Sequence, residues 1–260
     1  MLGLSIPEVA GRARATRDPA AAALIARMTG APGEARAVQI DALVRGLKAA
    51  DIWAKLDMLH VLAAHDEQAA RRNWVADAYN LTAVSAPGFV ADRGFTGDGA
   101  ASYLDTGFQP GVSAGAHALQ DDNHLGLWCL TNVSGSGIDA GSTNHSLNAN
   151  NSGNLSTRNM AGTSNAVGAG SAIGHSLISR AGPAAYSRYK NGASLGDASQ
   201  ASAAPTALNL FVCCRNAGGV AAAFGTRQIA AVHAGAALSA GEVAALYALL
   251  GSYLVGVGAA

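Results

Sequence analysis

The sequence contains little charge, few aromatic side chains and only three cysteines. Of its 260 residues, 13% are charged and 5% are aromatic, and 17 basic residues balance 17 acidic ones. Without excess positive charge, a chain is poorly equipped to neutralise a phosphate backbone, so nucleic acid is not an expected partner. Half of the residues are hydrophobic. This is enough to build a buried core and excludes an intrinsically disordered chain.

The three cysteines do not have the spacing of a metal site or of a disulfide framework. Cys213 and Cys214 are neighbours in the sequence, and Cys129 is far from both. Adjacent residues on a strand point to opposite faces, so this pair is unsuited to a disulfide or to a shared metal ion. We therefore expect three small apolar side chains in a reduced protein, and we predict no cofactor.

The two ends of the sequence bear on export and membrane insertion. Residues 1–14 lack the basic start, apolar run and cleavage site of a secretory signal. Residues 243–260 are uncharged and long enough to be considered for a membrane span. However, glycines interrupt this run, and Ser239 with Glu242 forms a capping-box pattern before it. We predict no membrane span but a surface helix whose buried stripe consists of Val243, Leu246, Leu250 and Tyr253.

Residues 1–78 are predicted to form an N-terminal helical region. Residues 20–28 read as a short helix, and a longer one follows with apolar residues at helical spacing up to Leu47. Ile52, Leu56, Leu59 and Ala63 continue the same spacing, which predicts another helical segment. Because a small alanine-rich helical unit hides its apolar face poorly alone, we interpret this region as an attachment or oligomerisation element.

Residues 79–260 have the pattern of a β-sandwich that ends in a helix. Short apolar or alternating runs are separated by glycine, serine, asparagine and aspartate, which is typical of antiparallel strands. The predicted strands are 89–90, 103–104, 125–130, 176–179, 186–190, 208–214 and 227–233. Residues 131–174 are almost entirely small and polar, and we favour strands with polar outer faces over a flexible linker there. The predicted fold class is therefore mainly β.

Four segments resemble a known superfamily. Residues 94–108 read GFTGDGAASYLDTGF, residues 46–57 read GLKAADIWAKLD, residues 80–82 read NLT, and residues 238–247 read LSAGEVAALY. Together they resemble the concanavalin A-like lectin/glucanase superfamily, a LamG-like jelly roll, in the branch found in phage and prophage virion proteins. The resemblance spans roughly residues 36–255.

This resemblance implies an antiparallel jelly-roll β-sandwich with an N-terminal helical hairpin and a C-terminal helix. It also implies a structural component of a phage or phage-like particle: a tail fibre, spike, baseplate or capsid-decorating protein. The expected location is the virion, after synthesis in the bacterial cytoplasm. Expected partners are other virion proteins at the N-terminal helices, further copies of this chain, and a host-surface glycan. Small residues on exposed faces also favour close contact between subunits.

The sequence predicts that the protein is not an enzyme. Glucanases of this superfamily resemble one another in an E-x-D-x-x-E strand, because retaining hydrolysis needs two carboxylates on one face. Nothing in the sequence matches this strand, and the only glutamate after residue 79 is Glu242, the expected helix cap. Two alternatives remain open: a virion polysaccharide depolymerase with carboxylates from distant strands, and a cellular carbohydrate-binding module.

One predicted strand carries a candidate carbohydrate-binding set. Tyr186, Arg188 and Tyr189 lie on this strand, and Asn191 lies in the turn beyond it. An aromatic ring can stack on the apolar face of a sugar while polar groups bind its hydroxyls. The alternative interpretation is that Tyr186 fills core or interface space and that Arg188 is merely exposed.

A second polar cluster precedes another predicted strand. Asp121, Asp122 and Asn123 could supply oxygen ligands to Ca²⁺. Adjacent Asp and Asn residues also form turns by bonding to their own backbone, and this is the alternative interpretation.

Overall fold

Two antiparallel sheets stack face to face in a computed structural model that describes residues 16–260. Residues 1–14, which bear on the predicted absence of an export signal, and the first residues of the predicted helical region therefore lie outside the described residues. The helices are α1 (Pro19–Ala26), α2 (Glu34–Ala49), α3 (Glu67–Ala70) and α4 (Ala240–Gly256), with a 3₁₀ turn at Trp53–Lys55. The strands are β1 (Leu56–Val61), β2 (Thr82–Val84), β3 (Gly88–Val90), β4 (Gly94–Thr96), β5 (Tyr103–Asp105), β6 (Asp122–Cys129), β7 (Ala140–Gly141), β8 (Ser146–Asn151), β9 (Asn154–Arg158), β10 (Asn165–Gly168), β11 (Gly174–Ala181), β12 (Tyr186–Lys190), β13 (Ala193–Ala198), β14 (Phe211–Val212), β15 (Arg215–Ala217), β16 (Val220–Ala222) and β17 (Gln228–Gly235).

The first sheet, sheet A, has eight strands in the order β13-β12-β11-β6-β17-β4-β3, with β1 paired to β17 beside β4. Strand β17 pairs along β6 on one edge. Its other edge is shared, since Gln228 and Ile229 pair with β4 while the stretch from Ala231 to Gly235 pairs with β1. The second sheet, sheet B, has seven strands in the order β10-β9-β8-β7-β14-β5-β2. A separate hairpin, β15–β16, follows β14.

The predicted fold class, a mainly β antiparallel sandwich with N-terminal helices and a C-terminal helix, is confirmed. The polar stretch 131–174 contains β7 to β10, so strands were the right interpretation. The predicted strand 208–214 is reduced to Phe211–Val212, because Cys213 leaves the extended conformation with φ 69°. All three cysteines are buried and free.

The predicted helix over Ile52, Leu56, Leu59 and Ala63 is wrong. After the 3₁₀ turn, the chain enters β1, and all six β1 residues are buried. Both faces of β1 are covered, so its apolar residues do not simply alternate, and Leu56 and Leu59 also satisfy helical spacing. Residues 1–78 therefore contribute a strand to sheet A in addition to helices. The attachment role assigned to this region stays a prediction.

Helix α4 covers the outer face of sheet A. It begins at Ser239, whose side chain accepts the Glu242 N–H while Glu242 reaches back to the Ser239 N–H, so the predicted capping box is confirmed. The predicted stripe is buried against the sheet. The Trp128 ring on β6 stacks on Tyr247 of α4, with centroids 5.3 Å apart. Helix α2 packs beside α4. Within residues 16–260 no helix combines the length and apolar character needed to cross a membrane.

Candidate functional site

Two adjoining cavities open where sheet A meets the first turn of α4. One, of about 410 Å³, is lined by the β11–β12 turn together with Ser187, Tyr189 and Asp197. The other, of about 460 Å³, is lined by Lys55, Asp121, Asp122 and Glu242. Both share Ala181, Leu238 and Ser239. We call the two cavities together the α4 groove.

An ion pair at the start of α4 holds the helix next to β1 at the α4 groove. The Nζ of Lys55, the residue before β1, lies 2.6 Å from Oε1 of Glu242 in the first turn of α4. Partial burial disfavours the charged form of Glu242. The hydrogen bonds from Lys55 and Ser239 outweigh this, so the pKa of Glu242 lies below its ordinary value. Glu242 is thus held ionised and serves as a helix cap and an ion-pair partner.

The predicted metal ligands Asp121, Asp122 and Asn123 form a tight turn and its exit. The backbone N–H of Leu119 donates to the Asp122 carbonyl at 2.7 Å, and Oδ1 of Asp122 accepts the Ala237 N–H at 2.7 Å. The Asn123 amide donates to backbone carbonyls of the same turn and is buried, with no exposed surface. This is the turn interpretation left open by the sequence. In the part of the chain that the structure describes, no three His, Cys, Asp or Glu side chains are grouped to hold a metal ion.

Tyr186 and Arg188, two of the four predicted sugar-binding residues, point into the sandwich. Their exposed fractions are 2% and 7%. The Tyr186 hydroxyl lies 2.9 Å from Oγ1 of Thr157 on sheet B. The Arg188 guanidinium donates to the Asn165 side chain and to the carbonyls of β13. Their polar groups are therefore engaged inside the protein, and they do not form an exposed aromatic platform.

Tyr189 and Asn191 have different surroundings. Tyr189 lies on the opposite face of β12 from Tyr186 and Arg188 and borders the α4 groove, although only 6% of its surface is exposed. Asn191 is exposed and has φ 50°, and its side-chain oxygen accepts the His175 N–H at 2.8 Å. Asn191 thus shapes the β12–β13 turn and does not line the groove. The structure brings Tyr189, Asp121 and Asp122 to the two halves of one groove, and it leaves Arg188, Asn191 and Asn123 outside. Tyr186 also borders the first cavity, but its hydroxyl is bonded inside the sandwich.

The sequence analysis missed several groove residues. Ser187 donates from Oγ to Oδ1 of Asp197 at 2.7 Å, across the β12–β13 pair. Lys55 and Glu242 are 187 residues apart in the sequence, so no local spacing connects them. The pattern at Ser239 and Glu242 was recognisable only as a helix cap. The alternation along residues 186–190 could have shown that Ser187 and Tyr189 share one face, opposite Tyr186 and Arg188.

The groove offers hydrogen-bonding groups in both of its halves. Tyr189 lines one cavity with Ser187 and Asp197, and Lys55, Asp121, Asp122 and Glu242 line the other. Burial raises the pKa of two carboxyl groups, Asp57 and Asp139, but both lie outside the groove. Asp57 accepts the backbone N–H groups of His117 and Ala118, and Asp139 is paired with Arg227 inside the sandwich. Both carboxyl groups are therefore engaged in holding the fold together.

Solved structures resemble this chain in fold. No protein-family model matches the sequence, and no curated protein matches it as a relative. The botulinum neurotoxin serotype D binding domain superposes with a TM-score of 0.54 at 10% identity, covering 76% of this chain and 52% of that one. The binding domain of Paraclostridial mosquitocidal protein 1 gives 0.51 at 13% identity, covering 75% and 52%. A mutant Trypanosoma rangeli sialidase displaying trans-sialidase activity gives 0.56 at 12% identity, covering 84% and 39%.

What this chain shares with these structures is an antiparallel β-sandwich fold. At these identities the similarity concerns the fold alone. The chain spans about half the length of the two toxin domains and 39% of the sialidase. Fold does not carry function, so function must be argued from the site.

Proposed function

We propose that this protein is a non-enzymatic, lectin-like binding domain whose α4 groove receives a glycan. The observation that carries the proposal is the pair of adjoining cavities, about 410 and 460 Å³, both lined by hydroxyl and carboxylate groups, with Tyr189 at the wall of the first. Cavities of this combined size suit a short oligosaccharide. A sugar presents hydroxyl groups that carboxylates and serines can bind, and an apolar face that can contact a tyrosine ring.

Binding without cleavage fits the state of the groove acids. A general acid needs a pKa raised towards neutral pH, whereas the pKa of Glu242 is lowered. Asp122 holds the Ala237 N–H, and Asp197 accepts from Ser187. In these contacts the carboxylates act as hydrogen-bond acceptors, a role in which they can stabilise the fold or bind the hydroxyl groups of a ligand. The neighbouring folds are also in keeping with a binding role, since the two toxin structures are binding domains.

We further infer that the domain is displayed by a phage or phage-like particle as a tail fibre, spike, baseplate or capsid-decorating component. Its support is the resemblance of residues 94–108, 46–57 and 238–247 to virion proteins. In this proposal the N-terminal helices contact other virion proteins, and several copies of the chain assemble. Light scattering on the purified chain tests the assembly. A mass of more than one chain is expected, and a strict monomer that stays monomeric with the other virion proteins would count against it.

A glycan array tests the groove directly. Asp197→Asn and Tyr189→Ala are expected to weaken binding of any recognised glycan by about tenfold or more. Glu67→Gln, an exposed acid on α3 away from the groove, is the matched control and should leave binding unchanged. Equal binding by the native protein and both groove variants would exclude the groove as the glycan site.

Cleavage is measured separately, by reducing-end release from host capsule and cell-wall polysaccharides. The non-enzymatic proposal expects no release by the native protein. Release that survives in Glu67→Gln but is lost when a groove carboxylate is replaced would establish the depolymerase alternative instead.

A further inference from the structure

Arg158 of sheet B and Arg215 of the β15–β16 hairpin lie near enough for their charges to interact. Leu155 and Thr157 of β9 are buried towards the sandwich interior, so the alternation of the strand directs Arg158 outwards. Arg215 is the first residue of β15, in the hairpin that follows β14. Both arginine side chains are half-buried.

Thr143 connects the two arginines. The Nη1 of Arg158 donates to the Thr143 carbonyl at 2.8 Å. The Thr143 hydroxyl in turn donates to the carbonyl of Asn216, the residue after Arg215, at 3.2 Å. The Gly218 N–H donates to the same hydroxyl at 3.0 Å, which fixes the hairpin on this spot. Thr143 thus holds the C-terminal end of β9 and the β15–β16 hairpin next to each other.

These two guanidinium groups lack anionic partners. Neither guanidinium forms an ion pair with a carboxylate in residues 16–260, and the side chain of Arg215 makes no hydrogen bond there. The Nε of Arg215 is buried without a partner. Burial first, and the positive charge of Arg215 second, lower the pKa of Arg158. Two cations that repel each other at a partly dry surface are stabilised when an anion lies between them.

Two other arginines without acid partners, Arg180 and Arg188, differ from this pair. Arg180 donates to backbone carbonyls from Nε and from both terminal nitrogens. Arg188 likewise uses all three nitrogens inside the sandwich. Their donors are consumed by the fold, whereas most donors of Arg158 and Arg215 are free to bind a ligand.

We propose that Arg158 and Arg215 form a binding site for an oxyanion, that is, a carboxylate, sulfate or phosphate group. Guanidinium groups bind such groups through two parallel hydrogen bonds, and two of them can hold one anion from both sides. The anion is either free or carried by an acidic polysaccharide. This site lies between sheet B and the β15–β16 hairpin, whereas the α4 groove lies on sheet A, so the proposal is independent of the proposed glycan site.

Calorimetric titration tests the site with sodium sulfate and sodium phosphate, at an ionic strength kept constant with chloride. The native protein is expected to bind at least one of these anions. Arg215→Gln should weaken binding by about tenfold or more, and Arg215→Lys should restore only part of it, since lysine lacks the planar fork. Arg45→Gln is the control, because it removes the same charge from an arginine already paired with Asp41.

A second pair of ligands distinguishes the source of the anion. Binding of dextran sulfate but not dextran, lost in Arg215→Gln, would assign the site to an acidic polymer. Binding of the inorganic ions alone would assign it to a free anion. Arg215 donates no hydrogen bond to the fold, so Arg215→Gln should unfold at the same urea concentration as the native protein, even if Arg158→Gln is destabilised. The proposal is overturned if the native protein binds none of the anions, or if Arg45→Gln weakens binding as much as Arg215→Gln.

Discussion

Gly126 of β6 lies directly against the imidazole of His233 on β17. A methyl group added to Gly126 would stand 2.3 Å from Cε1 and 2.5 Å from Nε2 of that ring. The ring occupies the space that a side chain on the neighbouring strand would fill. It thereby reaches His124 on one side and His175 on the other, with nitrogen separations of 3.1 and 2.9 Å. These three buried histidines lie between sheet A and α4.

Replacing Gly126 by alanine should destabilise the fold. The clash involves a ring without free space to move into, and overpacking of this kind costs about 1–3 kcal/mol. Urea unfolding measures the loss. Gly168→Ala is the matched control, because Gly168 is also in a strand but has no atom near the added methyl group. Equal stability of the Gly126→Ala variant and the native protein would contradict the packing described here.

The free energy of unfolding should fall as the pH is lowered from about 6.5 towards 4. Burial lowers the pKa of His124 to about 4 and that of His175 to about 3, and it lowers the pKa of His233 well below its ordinary value. In that pH range the unfolded chain binds protons that the folded chain does not, so stability decreases at up to about 1.4 kcal/mol per pH unit for each histidine.

Urea unfolding at pH 7, 6 and 5 checks this pH dependence. His175→Phe keeps a ring against Trp128 but removes one titrating group, so its stability should depend less steeply on pH. A native stability that is constant between pH 7 and 5 would contradict a neutral, buried histidine cluster.

Arg227→Met should destabilise the protein strongly. Arg227 is buried with Asp139, and its guanidinium also binds the carbonyls of Val133, Gly135, Gly137 and Asn150. Removing it would leave a buried carboxylate and several carbonyls without a partner, which costs about 3–5 kcal/mol. The measurement is the urea midpoint, compared with that of Arg45→Met on the exposed face of α2, where little change is expected.

Asp98→Ala should lower the urea midpoint by loosening the turn between β4 and β5. One carboxylate oxygen of Asp98 accepts the N–H groups of Ala100, Ala101 and Ser102, and these bonds hold the pKa of Asp98 well below its usual range. Asp98→Asn keeps an acceptor oxygen and should unfold between the native protein and Asp98→Ala. If the two variants unfold together at the native midpoint, the turn does not depend on this side chain.

Local patterns were sufficient for much of the fold. The capping box at Ser239, the stripe on α4 and the strand at residues 186–190 follow from spacing and turn chemistry alone. Strand β1 could not be distinguished from a helix, because its register is set by β17, almost the whole chain away. Sequence spacing also placed Tyr186 and Tyr189 together, although they face opposite sides of sheet A. The Lys55–Glu242 pair and the Arg158–Arg215 pair exist only through tertiary packing.

Strand β17 lies in the middle of sheet A, although it is the last strand in the sequence. Until it has been synthesised, β6 and β4 each have one unpaired edge, and β1 has no partner strand. β17 is therefore synthesised after all the strands that it pairs with, and the edges of β6, β4 and β1 that face it stay unpaired until then. Slow assembly is the expected consequence of such distant pairing, and a nascent chain halted before Gln228 would offer its open edges to other molecules.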